Sequence, residues 1–283
     1  MKKIRIITDC TSDLTKQIYE ENDILVLPLY VTIGGKTYSD GIDITTKEMY
    51  ELVNKYNELP KSSNISPTTF EETFRNELKN YDEIIYLGIG SKMSSTYNNA
   101  CFAAREVDPS RIFIVDSENL SSGIGLLILR AVKLRKQGLS AFEISEELKK
   151  ITPLVRTQFV INTLEYLHKG GRCTGTVKII GTLLKIKPII RVAHGEMEIA
   201  KKPMGKFERG LEVLLGYVKD DLENIETDNI MVTHSETDKD ADYLINELKK
   251  MNKFENIIKT SASGVISTHC GPRTIGILYI LKK

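Results

Sequence analysis

The residues best suited to chemistry lie in small-residue turns that follow β-branched runs and precede helix-forming ones. The densest is G-S-K-M-S-S-T-Y-N-N-A, residues 90–100, which sets Ser91, Ser94, Ser95 and Thr96 between the apolar run 83–89 and a helix-forming run over 98–107. Hydroxyls beside the free N–H groups and positive dipole end of a helix suit a carboxylate or a phosphate. Ser94 or Ser95 would equally serve as a plain N-cap, and the residues alone leave both readings open. A second such turn, K-S-S-N-I-S-P at 61–67, carries Ser62 and Ser63 and predicts a helix from Ser66, with proline at its first position. Asp9 and Thr11 follow the first β-run, and Asp116 ends the strand read over 111–115. These carboxylates either cap helices or face a ligand edge. Gly123, just beyond, permits close approach of a neighbour or a ligand. Gly170-Gly171-Arg172 offers an anion fork or, equally, a helix C-cap with an exposed arginine. His269 precedes Gly271-Pro272 and is read as lying in a loop.

Several chemistries lack their signatures. There is no G-x-S-x-G elbow, so a hydrolase would have to assemble Ser94 with His269 through the fold. No G-x-x-x-x-G-K-[ST] occurs, and neither G-x-G continues into a dinucleotide fingerprint. The four cysteines and four histidines are scattered without metal-ligand spacing.

These turns need a scaffold to bring them together. Runs at 2–8, 24–33, 83–89 and 111–115 alternate with helical stretches, the pattern of a parallel, doubly wound sheet with its ligand edge at the Ser/Thr/Asp turns. Gly34-Gly35 reads as a hairpin. From 155 onward the character changes to strands at 155–161, 188–193 and 229–234, an apolar helix at 176–186, amphipathic helices over 204–222 and 240–251, and two closing β-runs around a Gly-Pro loop at 263–281. The expected fold is therefore α/β in two domains, a parallel-sheet unit over 1–152 and an α+β unit with a mostly antiparallel sheet over 153–283. The composition, 41% hydrophobic and 27% charged over 283 residues, fits a globular protein with a sizeable core. A net charge of +1 gives no support for nucleic acid as a bulk partner. No apolar run reaches the length of a membrane span, no signal peptide is apparent, and the unpaired cysteine spacing suits a reducing cytoplasm.

Seven stretches together resemble the DegV family of bacterial fatty-acid-binding proteins, which includes the lipid-binding subunits of fatty acid kinase. They are TDCTSDL (8–14), SSNISP (62–67), GSKMSSTYNNA (90–100), VDSENLSSGIG (115–125), LEYLHKGGRCTG (164–175), LLKIKPII (183–190) and HCGPRTIG (269–276), in family order over nearly the whole chain. The resemblance implies a Rossmann-like N-terminal domain and an α/β C-terminal domain closing around an apolar tunnel for a long-chain fatty acid. It implies that Ser62, Ser63, Ser94, Ser95 and Thr96 meet the carboxylate, with Arg172 and His269 at the head group and partner surface. Asp9, Thr11, Asp116 and Gly123 would support them, and no cofactor or metal is implied. A separate kinase would convert the acid to an acyl phosphate, with no catalysis by this chain and with transient membrane contact allowed. Apolar residues of 124–129 and 177–184 are the expected tunnel wall. The chain departs from the family pattern at Ser62 for Thr, Asn64-Ile65 for Gln-Pro, Ser95 for Gly, Cys10 for Ser and Arg273 for a small residue. None of these removes a donor. A serine-dependent acyl-ester hydrolase and a binder of another small anion are the alternatives.

Overall fold

The computed structural model describes residues 2–173 and 186–283. Of the helix expected over 176–186, all but Ile186 lies outside them, as do the wall residues 177–184. The first half runs β1 (Ile4–Asp9), α1 (Lys16–Glu21), β2 (Ile24–Leu27), β3 (Tyr30–Ile33), β4 (Lys36–Ser39), α2 (Thr46–Tyr56), β5 (Lys61–Ser63), α3 (Pro67–Glu77), β6 (Glu83–Gly88), α4 (Thr96–Val107) and β7 (Ile112–Asp116). Then come α5 (Ser122–Lys136), α6 (Ala141–Ile151), β8 (Val155–Val160) and α7 (Glu165–Gly170). The remainder is β9 (Ile189–Ala193), β10 (Glu196–Lys201), α8 (Glu208–Asp221), β11 (Asn229–Ser235), α9 (Asp238–Lys250), β12 (Asn256–Ser261), α10 (Gly264–Cys270) and β13 (Thr274–Ile280).

The β-branched runs form a parallel sheet in the order β2-β1-β6-β7. A mixed sheet follows the order β10-β9-β8-β13-β11-β12, in which β11 and β12 pair parallel and the other neighbours antiparallel. The architecture is thus α/β, with a parallel four-stranded sheet and separate, mostly antiparallel sheets. The run 24–33 is not one strand. Pro28 cannot donate to a ladder, and beyond it β3 leaves the parallel sheet to pair with β4 across the Gly34-Gly35 hairpin and with β5 on its other side. β5 carries Ser62, so this small sheet sets the position of the second hydroxyl turn.

Two further expectations change. The closing stretch is not two β-runs, because residues 264–270 form α10. The sequence predicts a first helix over roughly 13–21 capped by Thr11 or Ser12, but residues 10–12 form a 3-10 turn and Thr15 caps α1.

Between the parallel and mixed sheets lies α5, apolar almost all round and buried from Ser122 through Ile128. Its 124–129 residues pack in the shared core with Ile85, Val115 and Leu278. A second core fills the outer face of the parallel sheet under α2, α3 and α4, and a third joins the mixed sheet to α8 and α9. Gly123 sits where α5 crosses Asn119 and Thr157. A methyl there would collide with Asn119 Oδ1 and stand 2.7 Å from Thr157 Oγ1. Gly123→Ala is expected to cost about 2 kcal/mol by overpacking, read as a lower urea midpoint at unchanged m-value.

Candidate functional site

A cavity of about 310 Å3 lies between the C-terminal edge of the parallel sheet and the facing side of the mixed sheet. The turns after β6 and β7 supply Ile89, Met93 and Leu120, the usual ligand edge of a parallel sheet. Opposite them, three strands of the mixed sheet line the cavity: β8 with Thr157 and Phe159, β11 with Thr233, His234 and Ser235, and β13 with Thr274, Gly276 and Leu278. The hydroxyls on this wall are already engaged within the protein. Thr157 Oγ1 donates to Asn119 Oδ1 at 2.7 Å, Thr233 Oγ1 shares hydrogen bonds with Ser122 and Thr260, and Ser235 Oγ meets Tyr50 Oη at 2.8 Å. Those hydroxyls, being satisfied, demand nothing polar of an occupant.

The other end is polar and reaches solvent. Ser62, Ser63, Asn64, Ser94, Ser95, Arg172 and His269 line it, and Ser63, Asn64, Ser95 and Arg172 are exposed. Ser62 Oγ and His269 Nε2 lie 2.8 Å apart. Burial first, and then the neighbouring Arg172 charge, lower the His269 pKa to about 4, so the imidazole is neutral at pH 7. Its Nδ1 is buried without a hydrogen-bond partner among the described residues. It stands against Gly170, where any β-carbon would collide with it. Ser94 Oγ sits 2.9 Å from Thr96 Oγ1 and accepts from Thr96 N at 3.2 Å. Ser95 occupies the N-cap position of α4 without a side-chain capping bond. Two asparagines tie the hydroxyl turns together: Asn64 Nδ2 donates to Ser95 Oγ, and Asn99 Nδ2 to Ile65 O at 2.8 Å. Arg172 Nη1 donates to Gly170 O at 2.6 Å.

Thr96, Asp9, Thr11 and Gly123 are buried, Asp116 is half-buried, and all five lie outside the cavity lining. Asp9 is a brace. It accepts from Thr11 N, Thr11 Oγ1, Tyr86 Oη and Ile89 N, joining the ends of β1 and β6, and burial raises its pKa. Asp116 Oδ1 accepts from Ser91 N at 3.1 Å and Glu118 N at 3.0 Å, shaping the turns that present Met93 and Leu120. His269 lies not in a loop but at the last turn of α10. A hydrolase pairing of Ser94 with His269 is not what the hydrogen bonds show, since the histidine pairs with Ser62 and Ser94 pairs with Thr96.

Sequence reasoning missed Asn64 as a strut, although its departure from the usual glutamine marked it. It also missed Asp40, and Asp13 stands out in the sequence only as a possible helix cap. Asp13 accepts from Ser121 Oγ at 2.6 Å and Ser263 N at 2.9 Å, and burial raises its pKa to about 7. Asp40 accepts from Gly264 N and Val265 N at 2.9 and 2.8 Å, and burial raises its pKa as well. Among the described residues no group of three or more acidic, His or Cys side chains is placed to hold a metal, and no helix is long and apolar enough to cross a membrane.

The model of the family described as "Uncharacterised protein, DegV family" matches residues 3–282. A DegV domain-containing protein of Clostridium acetobutylicum is 36% identical over 283 residues, covering 100% of both chains. Among solved structures, a DegV family protein from Thermus thermophilus, described for its fatty acid binding, superposes with a TM-score of 0.92 at 30% identity over 99% of each chain. DegV of Bacillus subtilis, described as a fatty acid binding protein, superposes at 0.88 with 29% identity over 100% of each. With a whole-length family match, such relatives and the same α/β architecture, the chain belongs to the DegV family.

Proposed function

We propose that this protein binds a long-chain fatty acid, with the acyl chain in the cavity and the carboxylate at the Ser62–Ser94 end, and offers that carboxylate to a separate kinase for acyl phosphate formation. The observation that carries the reading is the one-ended polarity of the cavity. Its inner wall is apolar or has its hydroxyls engaged, while the serines and Arg172 gather where it meets solvent. Fatty acid binding in the Thermus and Bacillus relatives supports the same ligand class. Units 1–152 and 153–283 would close around the chain.

The division of labour follows from magnitudes. Each buried CH2 contributes about 0.8 kcal/mol, so the acyl chain supplies most of the affinity and the polar end fixes orientation. A neutral His269 that donates from Nε2 to Ser62 Oγ leaves the Ser62 proton free for the carboxylate. Ser94, with Thr96 as the donor behind it, directs its own proton the same way. Ser63, Ser95 and the exposed Arg172 then flank an oxygen accessible from solvent, which is what a phosphorylating partner requires.

The Ser62–His269 contact favours a second reading, a serine nucleophile with its base. A triad base is held by a partner on its other nitrogen, and His269 Nδ1 has none among the described residues. The binding reading needs only donors and fits better; turnover of a chromogenic acyl ester would reverse that judgement. The deciding experiment is mass spectrometry of an organic extract of protein purified without added lipid. A stoichiometric long-chain fatty acid is expected. Protein that emerges lipid-free and also takes up neither oleate nor palmitate overturns the proposal.

A further inference from the structure

Helix α10 follows β12 of the mixed sheet, yet its N-terminus is held from the other side of the molecule. A helix leaves its first N–H groups without internal partners. Here Ser263 N donates to Asp13 Oδ1 at 2.9 Å, Gly264 N to Asp40 Oδ1 at 2.9 Å, and Val265 N to Asp40 Oδ2 at 2.8 Å. Ile266 N completes the set on Ser263 Oγ at 3.5 Å. Both aspartates are buried and belong to the first half of the chain, one just past β1 and the other just past β4. The same half adds Thr46 Oγ1, donating to Ala262 O at 2.9 Å, and Met49 Sδ, 3.4 Å from Thr268 Oγ1. At the far end of this short rod sits His269, against Ser62 of β5. His269 follows Gly264 by five positions along the helix, about 7.5 Å of rise.

We propose that Asp40 is a positioning residue for the head-group site: by holding both N–H groups at the start of α10 it sets the helix, and thereby places His269 on Ser62. Asp40 touches neither Ser62 nor His269 by any hydrogen bond, so its influence passes through the rod. The carboxylate has no softer alternative. Its Oδ2 also takes the Cys10 thiol at 3.5 Å, and Gly264 is the residue that lets it approach, since a β-carbon there would stand 2.6 Å from Oδ1. The proposal rests on the head-group reading of Ser62 and His269, and the test separates the two.

Asp40→Ala, His269→Ala and the double variant are titrated with oleate and with oleyl alcohol, and His269 is followed by NMR across pH in ligand-free wild type and Asp40→Ala. Losing a charge-assisted contact behind the head group is expected to weaken oleate about tenfold. The double variant should be no weaker than His269→Ala, because residues acting through one another do not add. Oleyl alcohol should bind Asp40→Ala as it binds wild type, whereas general loosening of the cavity would weaken both ligands. In the ligand-free protein, His269 should titrate well above its wild-type value near 4 once Asp40 is gone. Equal weakening of acid and alcohol, effects that multiply in the double variant, or an unmoved His269 titration overturns the proposal. If wild type takes up no oleate while Asp40→Ala still shifts His269, the fatty-acid reading falls and the positioning role stands. Should Asp40→Ala fail to fold, Asp40→Asn, which keeps one acceptor, must shift the same quantities in the same direction by less; no shift there also overturns it.

Discussion

The double variant Ser62→Ala/Ser94→Ala is expected to lose about a thousandfold in affinity for oleate, and to bind oleyl alcohol nearly as wild type does. A hydrogen bond to a charged group is worth roughly 1.5–3 kcal/mol, so two of them together contribute on the order of 4 kcal/mol. The alcohol keeps the acyl chain, which supplies its affinity through burial in the cavity, and does without the charge that makes the serines valuable. Removing Ser62 also leaves His269 Nε2 without its partner, beside an Nδ1 that has none among the described residues. The urea midpoint should therefore drop as well, and titrations belong well below the unfolding transition. Retention of oleate affinity within about threefold would remove both serines from the carboxylate site.

How much of this was visible beforehand depends on what decides each element. The parallel sheet was legible because β-branched runs and Ser/Thr/Asp turns agree with each other over four successive units. Residues 264–270 were misread because G-V-I-S-T-H-C is rich in β-branched residues, and strand propensity is a weak prior. Its helix is settled by acceptors on Asp13 and Asp40, more than 200 residues away in the chain. No local pattern carries that information. The run 24–33 is a subtler case, since Pro28 was in plain view and does mark where the chain changes sheets.

The candidate site divides along the same line. Hydroxyl turns at 62–63 and 94–95 and the positions of Arg172 and His269 were readable as types and as a resemblance, and the fold brings all of them to one end of one cavity. Their pairing was not readable. Ser62 meets His269 across 207 positions, and Asn64 meets Ser95 across 31. Within T-D-C-T-S-D-L, nothing in the residues distinguishes Asp9, which braces β1 against β6, from Asp13, which reaches across to α10. The chain path alone separates them.

Asp13 supplies a large pH effect between about pH 4 and pH 8. Its carboxyl is buried between Ser121 and the backbone of Ser263, with the Asp40 charge nearby, and burial is the main cause of its rise to about 7. The unfolded chain ionises the same group near 3.8. Between those values the folded state holds a proton that the unfolded state has released, so stability falls as pH rises, by about 1.4 kcal/mol per pH unit. By about pH 8 the ionised carboxylate costs the fold roughly 4 kcal/mol relative to acid conditions near pH 4. Asp13→Asn keeps the shape and tolerates the left-handed backbone at φ 51°. It can still accept from Ser263 N through its amide oxygen, while Ser121 Oγ, which donates to the carboxylate, turns to accept from the amide nitrogen. Urea unfolding should therefore show the variant near wild type at about pH 4.5 and more stable by several kcal/mol at about pH 8, with the gap opening through the interval between. Curves for the two proteins that stay parallel across that range would show that Asp13 is not protonated in the fold, and that its bonds to Ser121 and Ser263 offset its burial as an anion.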